Sequence, residues 1–218
     1  IKKVYPDAFL RFHLDYVCSH CWDTLVGDSL AIDVEGNSDL AIPKMVLSPF
    51  IVSGGGTIAF GPPKSGKSYV QLAIAVCVMY GQNRLGPVTQ QNVILVNLER
   101  SPESVQGRLA QVNKALGLKA NLSLPIINRR GWPLVSLADS IERSMTKRQA
   151  TVLFVDSLSR GGFGDMIGAD KINPGLDMLN RLAPTWHALA HTPRASTEHV
   201  YGGVFWDAGA DILVQQLS

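Results

Sequence analysis

From residue 57 onward the chain repeats one pattern: a short apolar run, a polar stretch, then a segment of helical length. Thr57-Ile58-Ala59-Phe60 is the first run, approached through Ser53-Gly54-Gly55-Gly56. Val93 to Leu98, Leu122 to Asn128, Thr151 to Val155, Thr185 to Ala190 and Asp211 to Gln215 are the others. Runs of this kind, rich in Val, Ile and Leu and barely interrupted, read as strands covered on both faces of a parallel sheet. Tyr69 to Tyr80 reads as a buried helix. Ser101-Pro102 opens a second helix, with Ser as N-cap and Pro at the first helical position; it runs to about Leu116 and stops at Gly117. Ser136 to Arg148 places Leu137, Ile141 and Met145 on one helical face, and Asn173 to Leu182 reads as a further helix. Strands alternating with helices predict an α/β fold, a mostly parallel sheet with helices on both faces.

The first 44 residues follow no such rhythm. Ala8 to Val26 reads as a helix with aromatic content (Phe9, Phe12, Tyr16, Trp22), and residues 33–40 as a loop. The division this suggests is an N-terminal segment of unclear role over 1–44 and a core over 45–218. The chain has 218 residues, 46% of them hydrophobic and 17% charged, enough for one domain with a substantial core. A net charge of +2 neither requires nor excludes nucleic acid. No apolar run is long enough to span a membrane, and the start carries no signal-peptide pattern, so a cytoplasmic protein is expected. Residue 1 is Ile, which suggests an excised or processed piece. Cys77 falls in the predicted helix and reads as core. Cys18 and Cys21 form a C-x-x-C with His20 between them and His13 nearby. A zinc site would need a second ligand pair that the chain lacks, so a reduced pair is the plainer reading.

The chemistry concentrates where the runs end. Gly61-Pro62-Pro63-Lys64-Ser65-Gly66-Lys67-Ser68 matches G-x-x-x-x-G-K-[ST] in full and sits between a predicted strand and a predicted helix, the context that supports the motif. Chance alone gives such a match in roughly one chain in a hundred of this length. The glycines permit a tight bend that aims successive N–H groups at phosphate oxygens, and the helix that follows from Tyr69 presents its positive end to them. Lys67 would reach the β and γ phosphates of ATP, and the Ser68 hydroxyl would hold Mg2+. Asp156 closes an aliphatic strand and is placed to hold Mg2+ beside Ser68. Glu99 ends the strand Val93–Leu98 and is a candidate to polarise the attacking water. His191 ends the fifth strand, where a polar side chain would touch the γ phosphate. Two polar or Gly-rich loops border this edge. One carries Arg160 and Lys171, the other Arg194, His199 and Tyr201, and both suit contacts with DNA phosphates.

With these residues placed, residues 45–218 resemble the RecA-like P-loop NTPases, most of all the RepA-type hexameric replicative helicases and their RadA- and DnaB-like relatives. Gly61–Ser68 matches the Walker A loop. Val93–Arg100, with the tail Asn97-Leu98-Glu99-Arg100-Ser101-Pro102-Glu103, is similar to the family strand that ends in the catalytic glutamate, which implies that role for Glu99. Val152–Arg160 resembles Walker B, and Ala188–Ser196 the family's His-containing motif. The resemblance implies a ring or filament of identical subunits, ATP at the subunit interfaces and single-stranded DNA in a central channel. It also implies strands beyond the sixth that carry an arginine finger, so the chain is expected to be C-terminally truncated, with any finger supplied from elsewhere.

The expected function is an Mg-dependent ATPase driving a helicase-like DNA motor. A recombination or repair ATPase that forms filaments on DNA remains open, as does a nucleotide-gated regulatory module. A small-molecule kinase is disfavoured, because no Arg-rich lid segment is visible and Glu99 is placed for water.

Overall fold

The structure, a computed structural model, describes residues 14, 16–18, 21, 31, 33–40, 42–160, 169–192, 200 and 209–217. The chain divides into two compact units, Ile1–Ala41 and Ile42–Ser218. In the first, Leu14, residues 16–18 and Cys21 are helical, inside the stretch expected to be a helix; the rest of that stretch lies outside the described residues. Ser38–Leu40 forms a 3-10 turn, steadied by Asn37 Oδ1 accepting from Asp39 N at 2.9 Å. Cys18 and Cys21 are free and exposed, and His13 and His20 lie outside the described residues.

In the second unit the strands are β1 (Met45–Leu47), β2 (Ile51–Val52), β3 (Gly56–Gly61), β4 (Val93–Asn97), β5 (Ile126–Asn128), β6 (Val152–Asp156), β7 (Thr185–His191) and β8 (Ile212–Gln215). The helices are α1 (Lys67–Tyr80), α2 (Pro102–Ala115), α3 (Ala138–Arg148) and α4 (Ala169–Leu182). Six strands form one sheet in the order β5-β4-β6-β7-β3-β8, and every neighbouring pair is parallel. This is the α/β architecture that the run-and-helix rhythm predicts.

Period-two alternation sorts the strand residues onto two faces. Ile94, Val96, Leu153, Val155, Trp186 and Ala188 pack with α3 and α4 residues such as Ile141, Met145, Leu179 and Leu182. Val93, Leu95, Val152 and Phe154 pack on the other face with Leu72, Ala75 and Val76 of α1 and Leu109 and Val112 of α2. Both faces of the central strands are thus dry, which is why their sequences carry almost no polar break. Among the described residues, no helix is long and apolar enough to cross a membrane.

Five elements differ from the sequence expectation. The strand expected over Leu122–Asn128 is only Ile126–Asn128. Asn113, fully buried on α2, donates through Nδ2 to the carbonyls of Ala120 and Leu122 at 3.1 and 2.9 Å, and this ties the segment to the helix instead of to β4. β1 and β2, a small antiparallel hairpin around Ser48-Pro49-Phe50, have no counterpart in the expectation; both strands are too short to show a period. α4 begins at Ala169 with Pro174 inside it, so the proline does not mark the start of the helix. α3 begins later than expected, at Ala138, because residues 134–137 wind as a 3-10 turn that buries Leu134 and Leu137.

Candidate nucleotide site

Strand register gathers the polar residues at the carboxyl ends of the strands. Gly61 pairs with His191 across β3 and β7, and Asn97 pairs with Asp156 across β4 and β6. Leu98 N then donates to Asp156 O at 2.8 Å, carrying the pairing one residue further and delivering Glu99 to the same edge. Parallel α/β sheets bind ligands at this edge, because the strands end there and the helices that follow point their N-termini at it.

The segment 61–68 wraps this edge between β3 and α1. Gly66 adopts φ 89°, a left-handed conformation suited to glycine, and Lys64 shares it at φ 68°. Gly61 is required by space: a Cβ there would collide with the Gln216 carbonyl oxygen. α1 opens directly on the loop, with Tyr69 N and Val70 N donating to Gly66 O at 2.8 and 3.2 Å. The Lys67 ammonium is buried and donates to Gly61 O and Pro62 O, both at 2.7 Å. Burial lowers its affinity for a proton; the nearby Glu99 and Asp156 carboxylates oppose that.

Asp156 is buried at the end of β6. Burial raises its pKa above the usual carboxylate value, against the pull of the Ser68 hydroxyl and of the Arg100 and Arg108 charges. A desolvated carboxylate beside a serine hydroxyl is a site in need of a cation. One carboxylate and one hydroxyl are too few to cage a metal, but they suit Mg2+, which keeps several waters and takes further oxygens from substrate phosphates. The residues therefore fit MgATP.

Glu99 sits across the cleft in a different environment. Its pKa is held down at about 2, first by His191, whose Nε2 lies 3.5 Å from Oε1, and then by the Ser157 hydroxyl donating at 2.5 Å; burial works in the opposite direction. The Ser159 hydroxyl lies 2.7 Å from that of Ser157. His191 Nδ1 is buried and has no hydrogen-bond partner.

Lys64, Ser65, Gly66, Lys67, Ser68, Tyr69, Glu99, Asp156 and His191 line one cleft of about 350 Å³. Pro63 borders the adjoining recess with Glu99 and His191, while Gly61 and Pro62 face the site through their carbonyls to Lys67. The sequence-predicted nucleotide residues are thus brought together. The three residues expected at DNA are placed only in part: Arg160 ends the 3-10 turn Leu158–Arg160, Lys171 lies in α4, and Arg194, with His199 and Tyr201, lies outside the described residues.

Sequence reasoning missed three polar residues that line the cleft: Ser157, Arg100 and Arg108. Arg108 reaches it from α2, its guanidinium 4.7 Å from the centre of the Tyr69 ring, and Gln111 Oε1 accepts from the Tyr69 hydroxyl at 3.0 Å. A signal was present: Val105, Leu109 and Val112 make the buried stripe of α2, and Arg108 stands inside its i, i+3, i+4 spacing. Ser157 and Arg100 follow strand ends, where spacing carries no signal.

No curated protein matches the chain. A family model does, the AAA domain, over residues 28–190, well over half of the chain. That span contains the phosphate loop, Glu99 and Asp156 and ends one residue short of His191. On this match, and with an α/β core of the expected kind beneath it, the chain belongs to the AAA-domain family of P-loop ATPases.

Proposed function

We propose that this ATPase couples MgATP hydrolysis to single-stranded DNA as a replicative helicase-like motor, acting as a ring or filament of identical subunits. One observation carries the reading. Glu99 is touched by Ser157, which begins the segment after β6, and by His191, which ends β7. The two segments expected to face DNA therefore both leave from residues in contact with one carboxylate, so DNA engagement has a short physical route to the hydrolytic site.

In this reading the 61–68 loop binds the phosphates through its amides and Lys67, while Ser68 and Asp156 hold the metal. Bound Mg2+ supplies neutralisation of charge on the phosphate oxygens. Glu99, ionised at neutral pH, accepts a hydrogen bond from the attacking water and orients it. His191 reports the state of that carboxylate to the segment that follows. Arg108 adds positive charge from the chain's own α2.

Steady-state ATPase activity with and without single-stranded DNA, for the wild type and Lys67→Ala, tests the reading. DNA stimulation that disappears in Lys67→Ala is the expected result. Nucleotide binding with turnover indifferent to DNA would overturn the coupling and leave a nucleotide-gated module.

A further inference from the structure

One exposed feature of the core has no part in the nucleotide site. After β5 the chain makes a tight turn through Arg129-Arg130-Gly131-Trp132, and all four residues are exposed. Trp132 is 54% exposed, an unusual position for the largest side chain. The turn is nonetheless firmly built. Arg129 N donates to Asn97 O and Gly131 N to Leu98 O, each at 3.0 Å, and Trp132 N closes the turn on Arg129 O at 3.1 Å. Gly131 adopts φ 81°, which only glycine takes without strain, and a Cβ there would meet nothing, so conformation rather than space requires it. Two residues on, Leu134 is fully buried and pins the exit of the turn to the core.

The side chains form a basic aromatic platform. The Arg129 guanidinium lies 5.9 Å from the Trp132 ring centre. Among the described residues, neither Arg129 nor Arg130 has a carboxylate partner. A solvent-facing indole flanked by two unneutralised guanidinium groups suits a ligand that offers flat rings and phosphates in alternation. Single-stranded nucleic acid has that chemistry: bases stack on the aromatic face and arginines take the phosphates.

We infer that the Arg129–Trp132 turn is a contact site for single-stranded DNA, with Trp132 stacking a base and Arg129 and Arg130 meeting its phosphates. In sequence the site is separate from the segments after β6 and β7. It hangs on the carbonyls of Asn97 and Leu98, immediately before Glu99, so a strand bound there loads the backbone that positions the hydrolytic carboxylate. The inference rests on the proposed coupling to single-stranded DNA and adds where part of that DNA is held.

The test is the affinity of the full chain for a fluorescein-labelled oligo(dT), read by anisotropy, with light scattering and basal ATPase activity recorded for each variant. Trp132→Ala is expected to weaken binding about 5- to 150-fold, the loss of one stacked base. Trp132→Phe keeps a π-face and retains most of the affinity. Arg129→Gln with Arg130→Gln flattens the slope of log affinity against log salt by about 1.4, at roughly 0.7 per phosphate contact for single strands. Should Trp132→Ala fail to fold, photo-crosslinking of bromodeoxyuridine DNA to the wild-type chain replaces it, with Trp132 as the expected adduct and adducts only elsewhere as refutation. Wild-type binding that Trp132→Ala leaves intact overturns this site while the DNA-coupled reading stands. No wild-type binding overturns both. A change in assembly mass with unchanged DNA affinity makes the turn a contact between copies. Lost ATPase activity with unchanged DNA affinity makes it a contact to a neighbour's nucleotide. Either result also overturns the inference.

Discussion

Two carboxylates face one cleft with their pKa values moved in opposite directions: burial pushes that of Asp156 up, while His191 and Ser157 hold that of Glu99 down at about 2. That contrast separates a metal-holding role from a water-orienting one. Glu99→Gln keeps an oxygen to accept from Ser157 but removes the charge. Hydrolysis is expected to fall about 10²- to 10⁴-fold while nucleotide affinity changes little, checked by phosphate release beside a binding titration. His187 makes a stability prediction. It is fully buried on β7, its Nδ1 accepts from Gln71 Nε2 at 3.1 Å, and burial lowers its pKa to about 4. Below about pH 6.5 the unfolded chain takes up a proton that the folded chain refuses until about pH 4, so stability falls with pH across that window and levels off beneath it. The loss from this group is on the order of 2 kcal/mol by pH 5. Urea midpoints at pH 7 and pH 5 should fall further in the wild type than in His187→Asn, and parallel losses would remove His187 as the cause. At this scale the motif residues were legible because each is a fixed type at fixed spacing or a polar residue closing an apolar run. Arg100 and Ser157 were not, because their place depends on which strand ends lie side by side.

Helices and strands were legible in proportion to how much of their pattern is local. Ser101 caps α2 as its sequence announces, with Oγ accepting from Ser104 N at 3.3 Å, and Gly117 turns with φ 74° just past the helix end. Ser101→Ala should cost about 1 kcal/mol, visible as a lower urea midpoint with nucleotide affinity unchanged. The strands β3, β4, β6 and β7 announced themselves because burial on both faces leaves a continuous aliphatic run. β5 did not, since Asn113 captures the Leu122 carbonyl that the longer strand would need, and that capture is a tertiary event. The first residue of β3 shows how strand and layer depend on each other. A Cβ on Gly56 would clash with the ring of Trp186; that ring is 1% exposed and fixed by its Nε1 donating to Asn180 Oδ1 at 2.8 Å. The ring cannot swing away without giving up that bond. Gly56→Ala is therefore expected to destabilise by about 1–3 kcal/mol through overpacking, measured as a lower urea midpoint with an unchanged slope.

For the molecule as a whole, the order β5-β4-β6-β7-β3-β8 places the phosphate-loop strand between the strand that carries His191 and the last strand, β8. The sequence could suggest the carboxyl edge of the sheet as the site, because parallel strands all end there. It could not suggest what braces the loop, since residues 65 and 216 are remote in the chain. Gln216 N donates to Phe60 O at 2.8 Å, extending the β3–β8 ladder, and its side-chain Nε2 donates to Ser65 O at 2.5 Å. The second bond fixes a carbonyl of the phosphate loop from outside, and so restrains the loop's backbone. Gln216→Ala keeps the ladder and removes only the brace. One lost hydrogen bond corresponds to about 0.5–1.5 kcal/mol, so nucleotide affinity should drop about two- to tenfold if the bond pre-organises the loop. Thermal stability should barely move, because Gln216 lies at the end of an edge strand. A titration with a non-hydrolysable ATP analogue, run beside a melting curve, separates the alternatives: weaker binding with an unchanged melting temperature supports the brace, and unchanged binding with a lower melting temperature makes Gln216 a strut of the sheet alone.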